Sequence, residues 1–127
     1  MQNEIWKKAA FNHLPDLRET IEEAKSEIDL WQSLKEYIAD NPEEAKPVFD
    51  FAWWCFSNSG QHSFRYEVEA YFYEDLPVFS DLRPLLLRFI TPTQFTELSC
   101  AFGTRVNLDE LTELCSDFAE YKKRSPS

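Results

Sequence analysis

The residues whose chemistry enzymes use most often are, in this chain, two histidines, three cysteines and many carboxylates. His13 precedes a Leu-Pro pair at a predicted helix boundary, and His62 follows Gly60 in a predicted loop. Neither histidine has a nearby Cys, Asp or Ser in the spacing of a nucleophile and its base. The histidines therefore predict no catalytic centre.

The cysteines are widely spaced and odd in number, at Cys55, Cys100 and Cys115. They form no C-x-x-C pair, and together with the two separate histidines they make no metal-ligand cluster. Cys55 lies in "WWCF", where a free thiol behaves as a small hydrophobe. We expect reduced, mostly buried thiols in a cytosolic protein, with no metal and no cofactor.

The carboxylates of "ETIEEAKSE", residues 19–27, could in principle ligate a metal or act as an acid and a base. They fall on a solvated face of a predicted helix, where we expect no perturbed pKa. The chain has no Glu-x-x-His motif, and its two glycines are too few for a phosphate-binding loop. We expect a protein that is not an enzyme. An enzyme whose carboxylate site is assembled only by the fold is the alternative.

Helix-start signals indicate which elements carry these residues. "NPEE", "TPTQ" and "NLDE" place Asn41, Thr91 and Asn107 at N-caps, each three positions before a Glu or Gln that can reach back. Gly60 and Gly103 stand where helices should stop. The predicted helices are 3–13, 16–40 with a break near Ser26, 42–58, 81–90, 92–102 and 107–122.

The predicted helix over 42–58 differs from the others because it is apolar almost all round. Between Val48 and Phe56 the one polar residue is Asp50, so we expect this helix to lie buried at the centre. Pro47 lies beyond its first turn and should kink it. We predict an all-α fold, a single domain over residues 1–127, with about six to seven helices around this aromatic-rich helix.

The stretch "SFRYEVEAYFYEDLPVF", residues 63–79, fits two periods at once. Its apolar residues alternate as in a strand, and they also fit one face of a helix. A strand needs a neighbour for its backbone groups, and no second convincing strand is found in the sequence. We predict a helix, and an edge strand over 64–76 that pairs with another chain is the alternative.

As a helix, this stretch has an outer surface that mixes tyrosines with carboxylates, as recognition surfaces often do. We predict a partner-binding site there, formed by Tyr66, Glu67, Tyr73, Glu74, Asp75 and Asp81. Alternatively, the tyrosines are half-buried at the helix edge. A rival surface is the acidic face of residues 19–36, formed by Glu19, Glu22, Glu23, Glu27, Asp29 and Glu36.

The charge balance restricts the partners. A formal charge of −10 and a pI of about 4.6 repel the phosphates of nucleic acids and of anionic membranes. The same charge attracts a basic protein, although acidity can also serve solubility alone. No segment reaches the length of a membrane span and the N-terminus has no apolar leader, so we expect a cytoplasmic protein.

The stretch "VEAYFYEDLPVFSDLRPLLLRFITPTQFTEL", followed by an acidic last helix, resembles a loose group of small uncharacterised bacterial helical domains. In size, acidity and lack of catalytic motifs the chain is also similar to bacterial immunity proteins, a likeness of character that assigns no site residues. This second resemblance implies a stoichiometric inhibitor of a basic toxin domain, commonly a nuclease. The alternative is a homo-oligomeric, for example homodimeric, structural or regulatory domain that associates through the aromatic stretch.

Overall fold

The computed structural model describes residues 5–57 and 64–124, and every regular element within them is helical. The predicted all-α class is confirmed. One-turn 3₁₀ segments occur at Pro15–Leu17, Pro42–Glu44 and Tyr73–Asp75. The nine α-helices of these residues are α1 Ile5–His13, α2 Arg18–Glu23, α3 Glu27–Asp40, α4 Lys46–Ser57, α5 Arg65–Tyr71, α6 Arg83–Phe89, α7 Pro92–Glu97, α8 Ser99–Phe102 and α9 Leu108–Arg124.

Two of the predicted helical segments, 16–40 and 92–102, are divided in the structure. The predicted break near Ser26 is confirmed, because α2 ends at Glu23 and Ser26 is the extended N-cap of α3. Its hydroxyl accepts from the backbone N–H of Asp29 at 3.1 Å, which satisfies one of the free donors at the helix start. A second division, at Leu98, separates α7 from α8.

The stretch with two possible periods is helical, as predicted, but over fewer residues. α5 covers Arg65–Tyr71 and ends at Phe72, whose backbone angles of φ −125° and ψ −65° leave the helical region. The 3₁₀ turn Tyr73–Asp75 follows directly. Because the chain leaves the α-helix at Phe72, side chains beyond it do not continue the faces of α5.

Two of the three predicted capping boxes are confirmed, and the third is wrong. Thr91 Oγ1 accepts from Gln94 N at 3.1 Å while Thr91 N donates to Gln94 Oε1 at 3.0 Å. Asn107 and Glu110 make the same reciprocal pair at 2.8 and 2.9 Å. The side chain of Asn41 does not cap the turn Pro42–Glu44; its Nδ2 donates back to the carbonyl of Tyr37 at 3.0 Å, at the C-terminal end of α3.

The predicted kink at Pro47 is also wrong, because α4 begins later than the sequence suggests. Residues 42–44 form a separate 3₁₀ turn, and α4 starts at Lys46. Pro47 therefore lies in the first turn, where a missing N–H interrupts no intrahelical hydrogen bond. The predicted stop at Gly103 is confirmed, since α8 ends at Phe102. The stop at Gly60 lies outside the described residues.

The chain divides into two compact units, Met1–Phe72 and Tyr73–Ser127, which we call the N-terminal and C-terminal units. The division falls where α5 gives way to the 3₁₀ turn. Each unit has its own set of buried aromatic side chains. The single domain predicted over residues 1–127 stays a prediction.

The core of the N-terminal unit is built on α4, as its apolar sequence predicts. The side chains of α4 that are buried are Val48, Phe49, Phe51, Ala52, Cys55 and Phe56. Trp31 of α3 packs its ring 5.4 Å from Phe51 and 5.2 Å from Phe72, measured between centroids. Large rings that pack at such distances contribute both buried area and favourable edge and face contacts. This cluster fixes α3 and α5 against the central helix.

The core of the C-terminal unit joins the 3₁₀ turn to α8, and α6 to α9. Tyr73 packs edge-on against Phe102, with centroids 6.3 Å apart, and Phe95 stacks on Phe118 at 4.2 Å. α9 buries Leu114 and Phe118 on one side and exposes acidic residues elsewhere. The unit is thus held by aromatic and aliphatic side chains that short helices bury together with the longer α9.

Candidate functional site

The six residues predicted to bind a partner are divided between the two units. Tyr66 and Glu67 lie on α5 of the N-terminal unit. Tyr73, Glu74 and Asp75 form the 3₁₀ turn of the C-terminal unit, and Asp81 lies in the loop that follows. Tyr66 is 69% exposed and Asp81 is exposed, whereas Glu67 and Glu74 are half-buried.

The expected exposure is wrong for Tyr73 and Asp75. Tyr73 is 0% exposed and belongs to the core, and Asp75 is 5% exposed. Tyr66 and Tyr73 are two helical turns apart, so they would share a face if α5 continued. The helix ends at Phe72 instead, which rotates Tyr73 into the interior. Binding of a partner by the remaining residues stays a prediction.

The carboxylates of the 3₁₀ turn contact a cation of the protein itself. Arg105 Nη1 lies 3.0 Å from Asp75 Oδ1, and its Nε lies 3.7 Å from Glu74 Oε1. A buried carboxylate beside a guanidinium is stabilised mainly by that pairing, because burial alone disfavours its charge. These two acids therefore serve the structure of their own unit. Nothing local in the sequence pointed to Arg105.

A second arginine of the C-terminal unit, Arg83, forms ion pairs with two acids of α9. Arg83 Nη2 lies 2.9 Å from Asp117 Oδ2 and 3.6 Å from Glu113 Oε1. Arg83 and Asp117 are 34 positions apart, so this pairing ties α6 to α9.

The acidic face of the N-terminal unit contrasts with this. Between Asp16 and Glu44 the sequence holds ten acidic and three basic residues. Glu19, Glu22 and Glu23 of α2 are exposed, and within the described residues none of the three makes an ion pair. Like charges held near one another raise the local negative potential.

Not every acid of the rival surface is available. Asp29 Oδ2 accepts from the backbone N–H of Lys25 at 2.9 Å, so it helps to start α3. Glu44, just beyond this surface, accepts from the hydroxyl of Tyr37 at 2.8 Å, which raises the pKa of that tyrosine. Glu36 is exposed, like the three glutamates of α2.

The prediction that these carboxylates have ordinary pKa values is wrong for Glu27. Burial, together with the nearby charge of Glu67 on α5, raises the pKa of Glu27 from 4.5 to about 7. Glu27 is the first residue of α3, and Glu67 lies in the first turn of α5, which packs against α3. The two carboxylates thus belong to helices that pack together, and their charges interact. We call them the carboxylate pair.

Two further groups lie close to the carboxylate pair. The indole of Trp31, one turn after Glu27, is 1% exposed and lowers the pKa of Glu27 through its N–H. Within the described residues its Nε1 reaches no acceptor in good hydrogen-bond geometry. Cys55 of α4 is buried, and burial with the nearby charge of Glu27 raises the pKa of its thiol. A thiol in this state is a poor nucleophile.

The cysteines and histidines show no arrangement that indicates a catalytic or metal site within the described residues. The expectation of mostly buried thiols is wrong, because Cys100 and Cys115 are exposed and Cys55 alone of the three is buried. The ring of His13 lies 4.7 Å from that of Trp54 and 5.3 Å from that of Phe51, measured between centroids. These contacts give His13 a role in packing α1 against α4. His62 lies outside the described residues. Within residues 5–57 and 64–124, no three His, Cys, Asp or Glu side chains converge as metal ligands.

The helices in the described part of the chain fall short of the length and apolarity that crossing a bilayer requires. Comparison with known proteins adds no relative: no family model matches the chain, and neither the curated proteins nor the solved structures give a significant match. The resemblances stated from the sequence, including that to immunity proteins, therefore stay predictions.

Proposed function

We propose that this protein is a binding protein that captures a basic protein partner through the acidic surface of its N-terminal unit. The observation that carries the proposal is the set of exposed glutamates on α2, Glu19, Glu22 and Glu23, which pair with no basic side chain among the described residues. Acids that a protein pairs internally stabilise the fold, whereas unpaired exposed acids keep their field for another molecule.

The choice of this surface over the predicted set on residues 66–81 follows from the ion pairs. Glu74 and Asp75 face Arg105, so much of their charge is compensated within the protein. The α2 glutamates keep their charge and would steer a basic partner, with association rates that fall as salt increases. Tyr66, at 69% exposed, is the side chain of the N-terminal unit best suited to supply buried aromatic area in a complex.

The finer proposal is an immunity protein that neutralises a cognate bacterial toxin, with a nuclease domain as the expected target. A nuclease must present basic side chains to nucleic acid, so an acidic protein can cover that surface by mimicking phosphate charge. In this function the protein acts in the cytoplasm, as a stoichiometric inhibitor. No bond is made or broken.

The test is a capture experiment from the native host at low salt with three forms of the protein as bait. The wild type is compared with Glu19→Lys/Glu22→Lys/Glu23→Lys and with a control, Asp81→Lys/Glu97→Lys/Asp109→Lys. Both triple variants change exposed acids and shift the net charge equally. Melting curves confirm that each bait is folded.

A captured protein counts as the partner when it is identified by mass spectrometry and binds again as a purified protein. We expect it to be basic, to be lost from the α2 variant and to be retained by the control variant. Equal capture by wild type and α2 variant refutes the proposed surface. A purified partner that is acidic refutes the proposed function.

A further inference from the structure

The last helix, α9, carries an exposed line of uncharged side chains beside its buried side. Spacings of four, three and four positions place these side chains above one another along the helix, and all of them are exposed: Leu108, Thr112, Cys115 and Ala119. Leu108 is 76% exposed. The helix packs against its own unit through a different side, which buries Leu114 and Phe118. We call the exposed line the α9 stripe.

The α9 stripe has the properties of a helix surface that another helix can cover. A single exposed leucine is common on proteins, but here the other exposed side chains of α9 are all charged except Ser116. An uncharged line with steps of three and four positions between charged flanks is the seam pattern of paired helices. Thr112 Oγ1 already donates to Leu108 O at 2.9 Å, so covering this hydroxyl leaves it with a partner.

Two charged side chains of α9 differ from the rest. Three acids of the helix are held in ion pairs, and Glu110 belongs to the capping box at Asn107. Asp109 and Lys123 are exposed, and among the residues that the structure describes neither side chain makes an ion pair or a hydrogen bond. Their charges are therefore available to another molecule.

The position of these two charges selects that molecule. Asp109, Ser116 and Lys123 follow one another at seven-residue intervals, so they form a row along one edge of the α9 stripe. The acid lies in the first turn of α9 and the base in the last. A row with an acid at one end, a base at the other and a serine midway is complementary to itself when a second copy is turned end for end. In a parallel pair, acid would meet acid and base would meet base.

We propose that α9 pairs with α9 of a second copy of this chain, in antiparallel orientation, about a two-fold axis near Ser116. The α9 stripe forms the seam between the two helices. Asp109 of each copy forms an ion pair with Lys123 of the other, so the symmetry gives two equivalent contacts. The antiparallel arrangement also brings opposite ends of the two helix dipoles together.

This pairing is weak and reversible. One helix of 17 residues offers an interface below about 1,200 Å², the size at which specific complexes begin to be stable. The dimer therefore forms in concentrated protein, whereas the dilute baits of a capture experiment are monomers. The pairing does not rest on the proposed function, and Asp109→Lys in the control bait changes no contact of a dilute bait.

The test is sedimentation equilibrium of the whole protein at low salt, from micromolar to millimolar concentration. The mass of the wild type should rise from 15.0 kDa toward twice that value. Asp109→Lys and Lys123→Asp each place like charges opposite one another at two points, and each should raise the dimer dissociation constant about tenfold. The double variant Asp109→Lys/Lys123→Asp restores both contacts in reverse and should return to within about twofold of the wild type.

The double variant separates the pairing from two other causes. It has the net charge of the wild type, whereas Asp109→Lys lowers the negative charge and would strengthen association if net charge alone governed it. Both substitutions oppose the helix dipole, so damage to α9 itself would be greatest in the double variant. Recovery in the double variant is expected from the antiparallel contacts alone. Melting curves confirm that each variant is folded.

A cross-link provides a second measurement, of the register. Cys115 is one residue from the two-fold axis, so the dimer brings the two Cys115 thiols together, while Cys100 lies on α8 and outside the stripe. A short bis-maleimide added to concentrated protein should give a covalent dimer. Cys115→Ser should abolish this product, and the matched control Cys100→Ser should retain it.

The pairing is refuted if the wild type stays monomeric at millimolar concentration, or if the double variant associates as weakly as the single ones. It is also refuted if the cross-link depends on Cys100 instead of Cys115, because the copies then meet through another surface. None of these outcomes bears on the capture of a basic partner, which is measured with dilute protein and depends on the α2 glutamates.

Discussion

The two units of this protein differ in the share of their carboxylates that ion pairs hold among the described residues. In the C-terminal unit, Asp75 lies 3.0 Å from Arg105, and Asp117 lies 2.9 Å from Arg83. In the N-terminal unit, the charges of Glu27 and Glu67 interact without a base, and the α2 glutamates are exposed and unpaired among the described residues. Of the net charge of −10, residues 1–72 carry −7 (fourteen acids, seven bases) and residues 73–127 carry −3 (nine acids, six bases), so more of the uncompensated charge belongs to the N-terminal unit.

This difference teaches that the number of acids in a sequence says little about which of them can meet a partner. Acids paired internally contribute to stability, and their removal should be felt in unfolding. Unpaired acids destabilise slightly, and their removal should be felt in binding. The predictions on Arg105, Glu27 and the α2 glutamates each test one side of this contrast.

The largest expected effect is on the compensated side. Arg105→Gln removes the guanidinium beside Asp75, which is only 5% exposed, and should lower the free energy of unfolding by about 2–3 kcal/mol. Urea denaturation followed by circular dichroism measures it. The control is Arg124→Gln, since Arg124 and Glu120 are 80% and 59% exposed and their pair should contribute under about 0.5 kcal/mol. Equal small losses for both variants would show that Arg105 does not hold the turn.

The next effect belongs to the uncompensated side and depends on pH. The pKa of Glu27 is about 7 in the folded protein and 4.5 as its ordinary value, so the folded state binds more protons between these values. The contribution of Glu27 to stability is fully present below pH 4.5 and is lost as pH rises through about 7. With a discount for partial exposure, we expect a loss of about 1–2 kcal/mol.

Unfolding by urea at pH 5 and at pH 8 measures this contribution as a difference between variants. Glu27→Gln should be more stable than the wild type at pH 8 and about equally stable at pH 5. Glu23→Gln, the exposed control, should follow the wild type at both values. If Glu27→Gln also has the stability of the wild type at both pH values, then ionisation of Glu27 does not destabilise the folded protein.

The smallest effect concerns two polar side chains at helix ends, Thr91 in the C-terminal unit and Asn41 in the N-terminal unit. Thr91 makes both hydrogen bonds of a capping box, so Thr91→Ala should lower the free energy of unfolding by about 1 kcal/mol. Asn41 donates a single side-chain hydrogen bond to Tyr37 O at the C-terminal end of α3, so Asn41→Ala should cost about 0.5 kcal/mol. Thermal unfolding of both variants gives the order. A reversed order would mean that the cap at Thr91 is not formed in solution.

Local signals in the sequence predicted much of the fold. The capping boxes at Thr91 and Asn107, the break near Ser26 and the buried α4 each depend on residues within a few positions of one another. Asn41 shows the limit of such signals, because its side chain donates to the carbonyl of Tyr37 in the last turn of α3 and does not cap the turn that follows. The helix over 65–71 was predicted, although its end at Phe72 was not.

The candidate site was less predictable because it depends on contacts between distant segments. Tyr73 was predicted to lie on the surface because α5 was expected to continue past it. The helix ends at Phe72 instead, and Tyr73 is buried. Arg105 forms an ion pair with Asp75, and the charge of Glu67 helps to raise the pKa of Glu27. Neither interaction can be predicted from the spacing of these residues in the sequence. The sequence shows that the segment 19–27 is acidic. It does not show which of these acids is buried, because that depends on how α5 packs against α3.

The central claim, that the uncompensated acids of the N-terminal unit are the ones that meet the partner, is tested most directly by calorimetric titration of the purified partner. The three forms compared are the wild type, Glu19→Lys/Glu22→Lys/Glu23→Lys and Asp81→Lys/Glu97→Lys/Asp109→Lys. We predict that the first triple variant raises the Kd at least about tenfold and that the second changes it by less than about threefold. Equal losses in the two variants would mean that net charge alone governs binding, and a larger loss in the second would place the surface in the C-terminal unit.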